Sequence, residues 1–593
     1  MEIIPALIGW PALAAVVIPL LKNRRARGAA VYAAAAGMMA LALALLGAWM
    51  ADGKQTVVLA PESVYTEYID LAMLAGEFLL MGLIVALSIR HRKYPVILLS
   101  AGQTLLVAWS EIFHPVQKST HLRVDGLAML LCIIAAFVGG FICIYAVGYM
   151  KAYHEHHKEY KDRSGFFFSM LFLFLAAMFG LVLSENLVWM YFFWEVTSVV
   201  SFLLIGYTRT EEAVNNSFRA LWMNLLGGFG FAAAIVYMAW NYGVVQLAEV
   251  IAIAPAIPVA LLAFAALTKS AQLPFSSWLL GAMVAPTPSS ALLHSATMVK
   301  AGVKKVLAFS TVSNLGLIVA CAGIGEEETV WAAVLLMIFH SVAKSMLFQA
   351  VGSIENALGT RDIEAMHGLL LRLPRLTYVM GIGIAGMYLA PFGMLISKWV
   401  ALRSFVDSNN YLLVIFLAYG SGTTMFYWTK WLSKLVSLHH TREPVTDRTH
   451  RDQYLSMFVH AAATLGLCLL FPLVSDRVVD PIVRTLLGSA HAVLSMNVLT
   501  TMVIMVVSVL FVPTLMFVLT RSTHRDYVPI YMGGANEGDN TYFVNSYGEP
   551  EHLYLSNWYM RFEFGMRRLM RPAVIVSAGV LAVLLCVIIG GAV

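Results

Sequence analysis

The sequence predicts an all-α polytopic membrane protein, and three observations carry that expectation. Hydrophobic residues make up 60% of the 593 and Asp, Glu, Lys and Arg only 12%, whereas soluble proteins carry about 25% charge. The apolar stretches run to roughly 20 residues, the length of a crossing helix, and lack the alternation of barrel strands. Lys and Arg collect in every second loop, as they do in a chain that crosses a bilayer repeatedly.

About seventeen spans of crossing length are expected. They are centred near Leu13, Leu43, Leu79, Leu105, Phe137, Leu175, Phe192, Phe229, Leu267, Leu293, Leu317, Phe339, Gly386, Leu417, Leu465, Val507 and Leu581. The first has no basic start and is followed by KNRRAR, so it reads as a membrane helix and not as a cleaved leader. KNRRAR, RHRK (Arg90–Lys93), KAYHEHHKEYKDR (Lys151–Arg163) and RTEEAVNNSFR (Arg209–Arg219) are the basic loops. ADGKQTVVLAPES, EIFHPVQKST and SEN, which alternate with them, are less positive. Positive loops stay in the cytoplasm, so the N-terminus is expected outside a bacterial-type inner (cytoplasmic) membrane.

Carried onward, the alternation fails at one point. The span containing His294 should end outside near Val303, yet the next, from Val306, begins with Lys304 and Lys305 and ends at GEEE (Gly325–Glu328). It too should run outward, so one crossing is expected to be missing between Val303 and Lys304.

Composition also excludes functions. The five cysteines, Cys132, Cys143, Cys321, Cys468 and Cys586, lie singly in apolar runs, so no iron–sulfur cluster or zinc site is expected and no cofactor is assigned to this chain. The net charge of +5 reflects cytoplasmic loops, and no nucleic-acid partner is read from it. No aqueous segment is large enough to be an enzyme. The longest, Arg521 to Arg571, contains GGANEGDN and the amphipathic YLSNWYMRFEFGMRRLM, read as an interfacial helix. HEHHKEY has the residue types of a metal site but reads better as a solvated loop.

Charged groups inside spans are the functional signal, because each costs several kcal/mol in lipid. Glu195 lies in YFFWEVTS, Lys269 in ALTKSAQLP, His294 in ALLHSATM, His340 and Lys344 in IFHSVAKSMLF, and Lys398 in APFGMLISKW. Pro274 deprives the Ser270 carbonyl of its helical donor just after Lys269, and Pro391 does the same before Lys398. Two discontinuous helices are therefore expected, each with a lysine near its break, as in transporters. His340 and Lys344 are four residues apart on one face. A Glu195–Lys269 pair, with Lys344 as competing cation, would make a switchable proton relay. Glu77 stands alone, a structural acid or a further site.

At these residues the chain resembles the antiporter-like, proton-translocating membrane subunits shared by respiratory complex I, multisubunit cation/proton antiporters and energy-converting membrane hydrogenases. The resemblance spans about Val124 to Lys434 and is carried by VDGLAMLL, YFFWEVTSVVSFLLIGY, KSAQLPFSSWLLGAMVAPTPSSALLHSATMVKAGV and KKVLAFSTVSNLGLI. It implies an antiporter-like fold in which Glu195, Lys269, His294, His340, Lys344 and Lys398 form the proton channel. It also implies a helix between MVKAGV and KKVLAFSTVS, where the charge pattern lacks one. The expected organisation is N-terminal helices over 1–121 including two extra spans, an antiporter-like core over 122–435, and C-terminal helices over 436–593. The extra spans and the GGANEGDNTYF and LSNWYM segments resemble the large membrane subunit of an energy-converting hydrogenase. That resemblance implies other membrane subunits and a peripheral arm with NiFe and iron–sulfur centres as partners. The alternative expectation is a subunit of a multisubunit cation/proton antiporter or of a complex I-like quinone oxidoreductase.

Overall fold

The protein is described by a computed structural model covering residues 3–54, 56–59, 64–116, 118, 120–292, 303–360, 362–388, 393–436, 445–488, 496–519, 535–536, 542–552 and 566–591. Its contacts divide it into two units, Met1–Thr297 with Ala573–Val593, and Met298–Pro572.

The first unit begins with eight long helices: α1 (Ile3–Val17), α2 (Arg24–Ala51), α3 (Val64–Arg90), α4 (Tyr94–Phe113), α5 (Gly126–His156), α6 (Ser164–Leu183), α7 (Leu187–Ile205) and α8 (Glu211–Tyr242). Caps mark several of the starts. Asn23, Asp125, Asn186 and Thr210 each accept a backbone N–H of the helix that follows, satisfying donors that have no carbonyl partner. Shorter helices follow: α9 (Leu247–Ile253), α10 (Ala256–Lys269), α11 (Ser276–Gly281) and α12 (Thr287–Leu292). α7 packs between α6 and α8, and α8 also carries α4 and α10.

The loops of this unit sort to two ends. At one, the strand β1 (Val57–Leu59) pairs antiparallel with β2 (Leu122–Val124). Leu122 bridges to Ser184 and Asn186 to Gln246. The loops after α2, α4, α6 and α8 are thus stitched together. At the other end Arg24 pairs with Asp162 at 2.5 Å, Lys93 donates to Asn215 at 3.0 Å, and Arg163 donates to the Tyr207 carbonyl. The four basic loops therefore share one end and the less positive loops the other, as the charge alternation requires.

The second unit contains α13 (Val303–Ile324), α14 (Glu327–Leu358), α15 (Leu369–Arg372), α16 (Pro374–Tyr388), α17 (Gly393–Asp407), α18 (Tyr411–Val436), α19 (Arg451–Leu469), α20 (Phe471–Val474), α21 (Asp480–Leu487) and α22 (Met496–Leu519). α14 is its axis, packed against α13, α16, α17 and α19. Gly393 meets the Phe339 ring so closely that no Cβ fits. The last apolar helix, α23, is Met566–Gly591.

Among the described residues 13 helices are long and apolar enough to cross a membrane, or 14 if α19 and the segment bent 81° from it count as one span. The expected spans at Leu267 and Leu293 differ from long helices. The first is the 14-residue α10 and the second is described only as far as Leu292. His294, Pro391, the ten residues before Val303 and most of the amphipathic segment near the C-terminus lie outside the described residues. Met566 to Met570, the end of that segment, instead begin α23.

Candidate functional site

In the first unit the site is built on α7. Glu195 is buried on this helix, and the Gln103 side-chain amide of α4 donates to its carboxylate. α10 ends at Lys269, as the proline four residues past Ser270 requires. The freed carbonyls are met locally: the Gln272 side-chain amide donates to Ser270 O at 3.1 Å and the Trp278 indole to Thr268 O at 2.9 Å. Broken backbone at membrane depth persists only when it is answered in this way.

The break delivers the Lys269 ammonium to α7. It donates to Thr197 Oγ1 and Ser198 Oγ, each at 2.8 Å, and to the Trp194 carbonyl at 3.3 Å. It also lies 4.8 Å from the centroid of the Trp194 ring, within cation–π range. The sequence suggested a Glu195–Lys269 pair. The structure places the lysine on the hydroxyls two and three residues beyond the glutamate, within electrostatic range of Glu195. Neutral hydroxyls hold the ammonium without neutralising it, so carboxyl and ammonium remain separately available.

In the second unit His340 and Lys344 are buried on α14. The Lys344 ammonium donates to the Leu307 carbonyl of α13 at 2.8 Å and lies 5.3 Å from the Trp428 ring centroid on α18. Lys398 sits on α17, and the expected break at Pro391 lies outside the described residues. It lines a cavity of about 230 Å³ with Ser313 and Asn314 of α13 and Ser421 of α18, room for several waters at about 30 Å³ each. Lys344 and Lys398 lie within electrostatic range of one another.

Several polar groups here escaped sequence reasoning. Ser456 donates to Gln349 at 2.7 Å, Gln453 to Ser353 at 3.3 Å, and His460 on α19 contacts the Ser456 carbonyl at 2.8 Å. Lys304, read only as a charge at the start of a span, forms a largely buried ion pair with Glu355 at 2.8 Å. A lone uncharged amide in an apolar run, such as Gln103 or Gln349, was the available signal. The His-rich segment, expected as a solvated loop, begins in the last turn of α5, where His154 is largely buried and contacts Tyr207 at 3.0 Å, and beyond it His157 pairs with Glu159 at 3.1 Å. Among the described residues no three His, Cys, Asp or Glu side chains converge as metal ligands.

A mainly helical bundle in which a helix breaks at Lys269 and a second lysine, Lys344, is buried on a long helix has an antiporter-like fold. Comparison with known proteins agrees. The profile of the membrane segment described as NADH:quinone oxidoreductase/Mrp antiporter matches residues 184–303 and 302–424. That of the complex I chain 5 N-terminus matches 109–160. Over residues 109–160 and 184–424 the chain is similar to this family.

Subunit A1 of a Na(+)/H(+) antiporter from Staphylococcus aureus is 30% identical, with 61% of this chain and 54% of the relative aligned. The chain thus spans about half the length of the curated relatives it matches. A chain of the Mrp complex from Dietzia sp. DQ12-45-1b superposes with a TM-score of 0.55 at 24% identity, over 78% of this chain and 58% of that one. A chain of the membrane-bound sulfane sulfur reductase, an archaeal respiratory membrane complex, gives 0.65 at 16% identity, over 82% and 98%. These two likenesses speak to fold.

Proposed function

We propose that the chain is the ion-translocating membrane subunit of a multisubunit cation/proton antiporter-type assembly, with protons moved through Glu195, Lys269, His294, His340, Lys344 and Lys398. The observation that carries this reading is the Lys269 ammonium, delivered by a broken helix to the neutral hydroxyls of Thr197 and Ser198 beside a buried Glu195. A cation so held can lose its proton without breaking a salt bridge, and a change at Glu195 alters the field it feels. The Na(+)/H(+) antiporter relative supports the antiporter-type assembly.

A second reading keeps the same relay and drives it from a redox arm, as in the energy-converting hydrogenase that the sequence resembles. It is favoured by the structural match along nearly the whole of a chain from a respiratory complex. In both, the basic loops face the cytoplasm and the N-terminus lies outside.

Inverted membrane vesicles containing the native complex test the reading. Addition of sodium should collapse an imposed pH gradient, and Lys269→Ala should abolish the response. An unaltered response in that variant would refute translocation through this site. Nickel and iron–sulfur centres in the purified complex would favour the redox-driven reading.

A further inference from the structure

Glu77 takes no part in the site above, and α3 lies outside the segments that the family profiles match. Yet α3 is brought against the site. Gly76 lets α7 approach so closely that a Cβ there would lie 3.0 Å from the Phe192 ring. Glu77, next in sequence, is 4% exposed, and its Oε2 has no hydrogen-bond partner. It lies within electrostatic range of Glu111, Glu195 and Lys118.

Three more oxygens share this condition. Tyr191 is fully buried, its hydroxyl has no partner, and it lies in range of both Glu195 and Glu77. Glu195 Oε1 and Gln103 Oε1 are also unpartnered. Both face Gly228 of α8, at 2.6 and 2.7 Å from where a Cβ would stand. Buried oxygens are rarely left without a donor, and here four such oxygens come from α3, α4 and α7.

Towards the stitched end of the unit, Glu77 is followed by a cluster of mixed charge. Lys118 lies 2.7 Å from Glu111 and 3.3 Å from Asp70, and these side chains are partly exposed. The Trp189 indole donates to Asp70 at 2.6 Å, and His121 is 3.8 Å from the same carboxylate. Asp70 precedes Glu77 by two helical turns, about 10 Å along α3. The cluster therefore sits at the membrane face and Glu77 partway to Glu195.

We propose that Glu77 is a proton-transfer group joining Glu195 to the membrane face at which Asp70, Glu111 and Lys118 cluster, by way of the Tyr191 hydroxyl. This rests on the translocation reading above. Each step moves one proton from an oxygen or nitrogen acid to an adjacent carboxylate or hydroxyl, with no change of oxidation state.

The test uses the native complex in inverted vesicles. Glu77→Gln, close in size, should slow sodium-driven proton movement on the order of a hundredfold, and Glu77→Asp should restore part of it. A full rate in Glu77→Gln while Lys269→Ala is inactive would overturn the route and leave the translocation reading standing. A full rate in Lys269→Ala would overturn that reading itself. Should Glu77→Gln fail to assemble, Glu111→Gln with Lys118→Met at the partly exposed mouth decides. A slower rate with an altered pH profile supports the route, and an unchanged rate and profile overturn it.

Discussion

Lys269 is held by three neutral acceptors, two of them side-chain hydroxyls at 2.8 Å. Hydrogen bonds to a charged group contribute about 1.5–3 kcal/mol each. The double variant Thr197→Val with Ser198→Ala should therefore assemble but lose most ion movement in vesicles, because the ammonium loses its seat on α7. Lys269→Arg should not rescue function, since a planar guanidinium neither fits between the hydroxyls nor gives up its proton. Outside the membrane, Asp162 supplies a pH-dependent contribution. Burial pushes its carboxyl up, but the Ser164 N–H, His154 and Arg24 outweigh burial and hold it below the ordinary carboxylate range. A depressed folded value means stability that is present above the unfolded pKa of about 3.9 and lost as pH falls through the folded one. Asp162→Asn should then cost no more than about 1 kcal/mol near neutrality, because solvent screens so exposed a pair, and the difference should vanish in acid. Thermal unfolding in detergent at both pH values reads it.

At the scale of elements, the glycines of α8 fix where the site forms. A Cβ on Gly227 would collide with the Thr268 hydroxyl, and one on Gly230 would lie 3.0 Å from Phe264. This face brings α10 in against α8, and Lys269 follows directly after Thr268. Gly227→Ala should destabilise the protein by about 1–3 kcal/mol through overpacking and slow transport as well, because Lys269 shifts with α10. A melting curve and a transport rate on the same preparation check both parts. The break itself was legible: Pro274 marks it, and α10 ends at Lys269. Its chemistry was not. Thr197 and Ser198 read as ordinary helix hydroxyls, and only the approach of α10 shows that they, and not Glu195, receive the ammonium. Gln103 lies 92 residues before Glu195 in sequence and on another helix, a proximity that no local spacing encodes.

At the scale of the whole molecule, the helical class was legible because hydropathy and charge are bulk properties that each span expresses by itself. The sorting of basic loops to one end of the first unit follows from the same signal. The bend of 81° after α19 was less legible, since it depends on packing. The family match falls into two segments that meet at 302–303, the junction at which the charge pattern lacks a crossing. We predict that the native protein contains a further span there. Its intact mass should exceed 65.1 kDa by roughly 20 residues, and a mass of 65.1 kDa would mean that the two helices are joined directly.

The ladder between β1 and β2, continued by the bridges to Ser184 and Gln246, acts as a hoop around one mouth of the first unit. Backbone bonds at Glu185 and Leu187 tighten it. Helices fastened at their tips cannot swing apart as rocking carriers do without tearing several of these bonds at once. On the translocation reading proposed above, ions would then pass by small side-chain and water rearrangements within helices held together at that mouth.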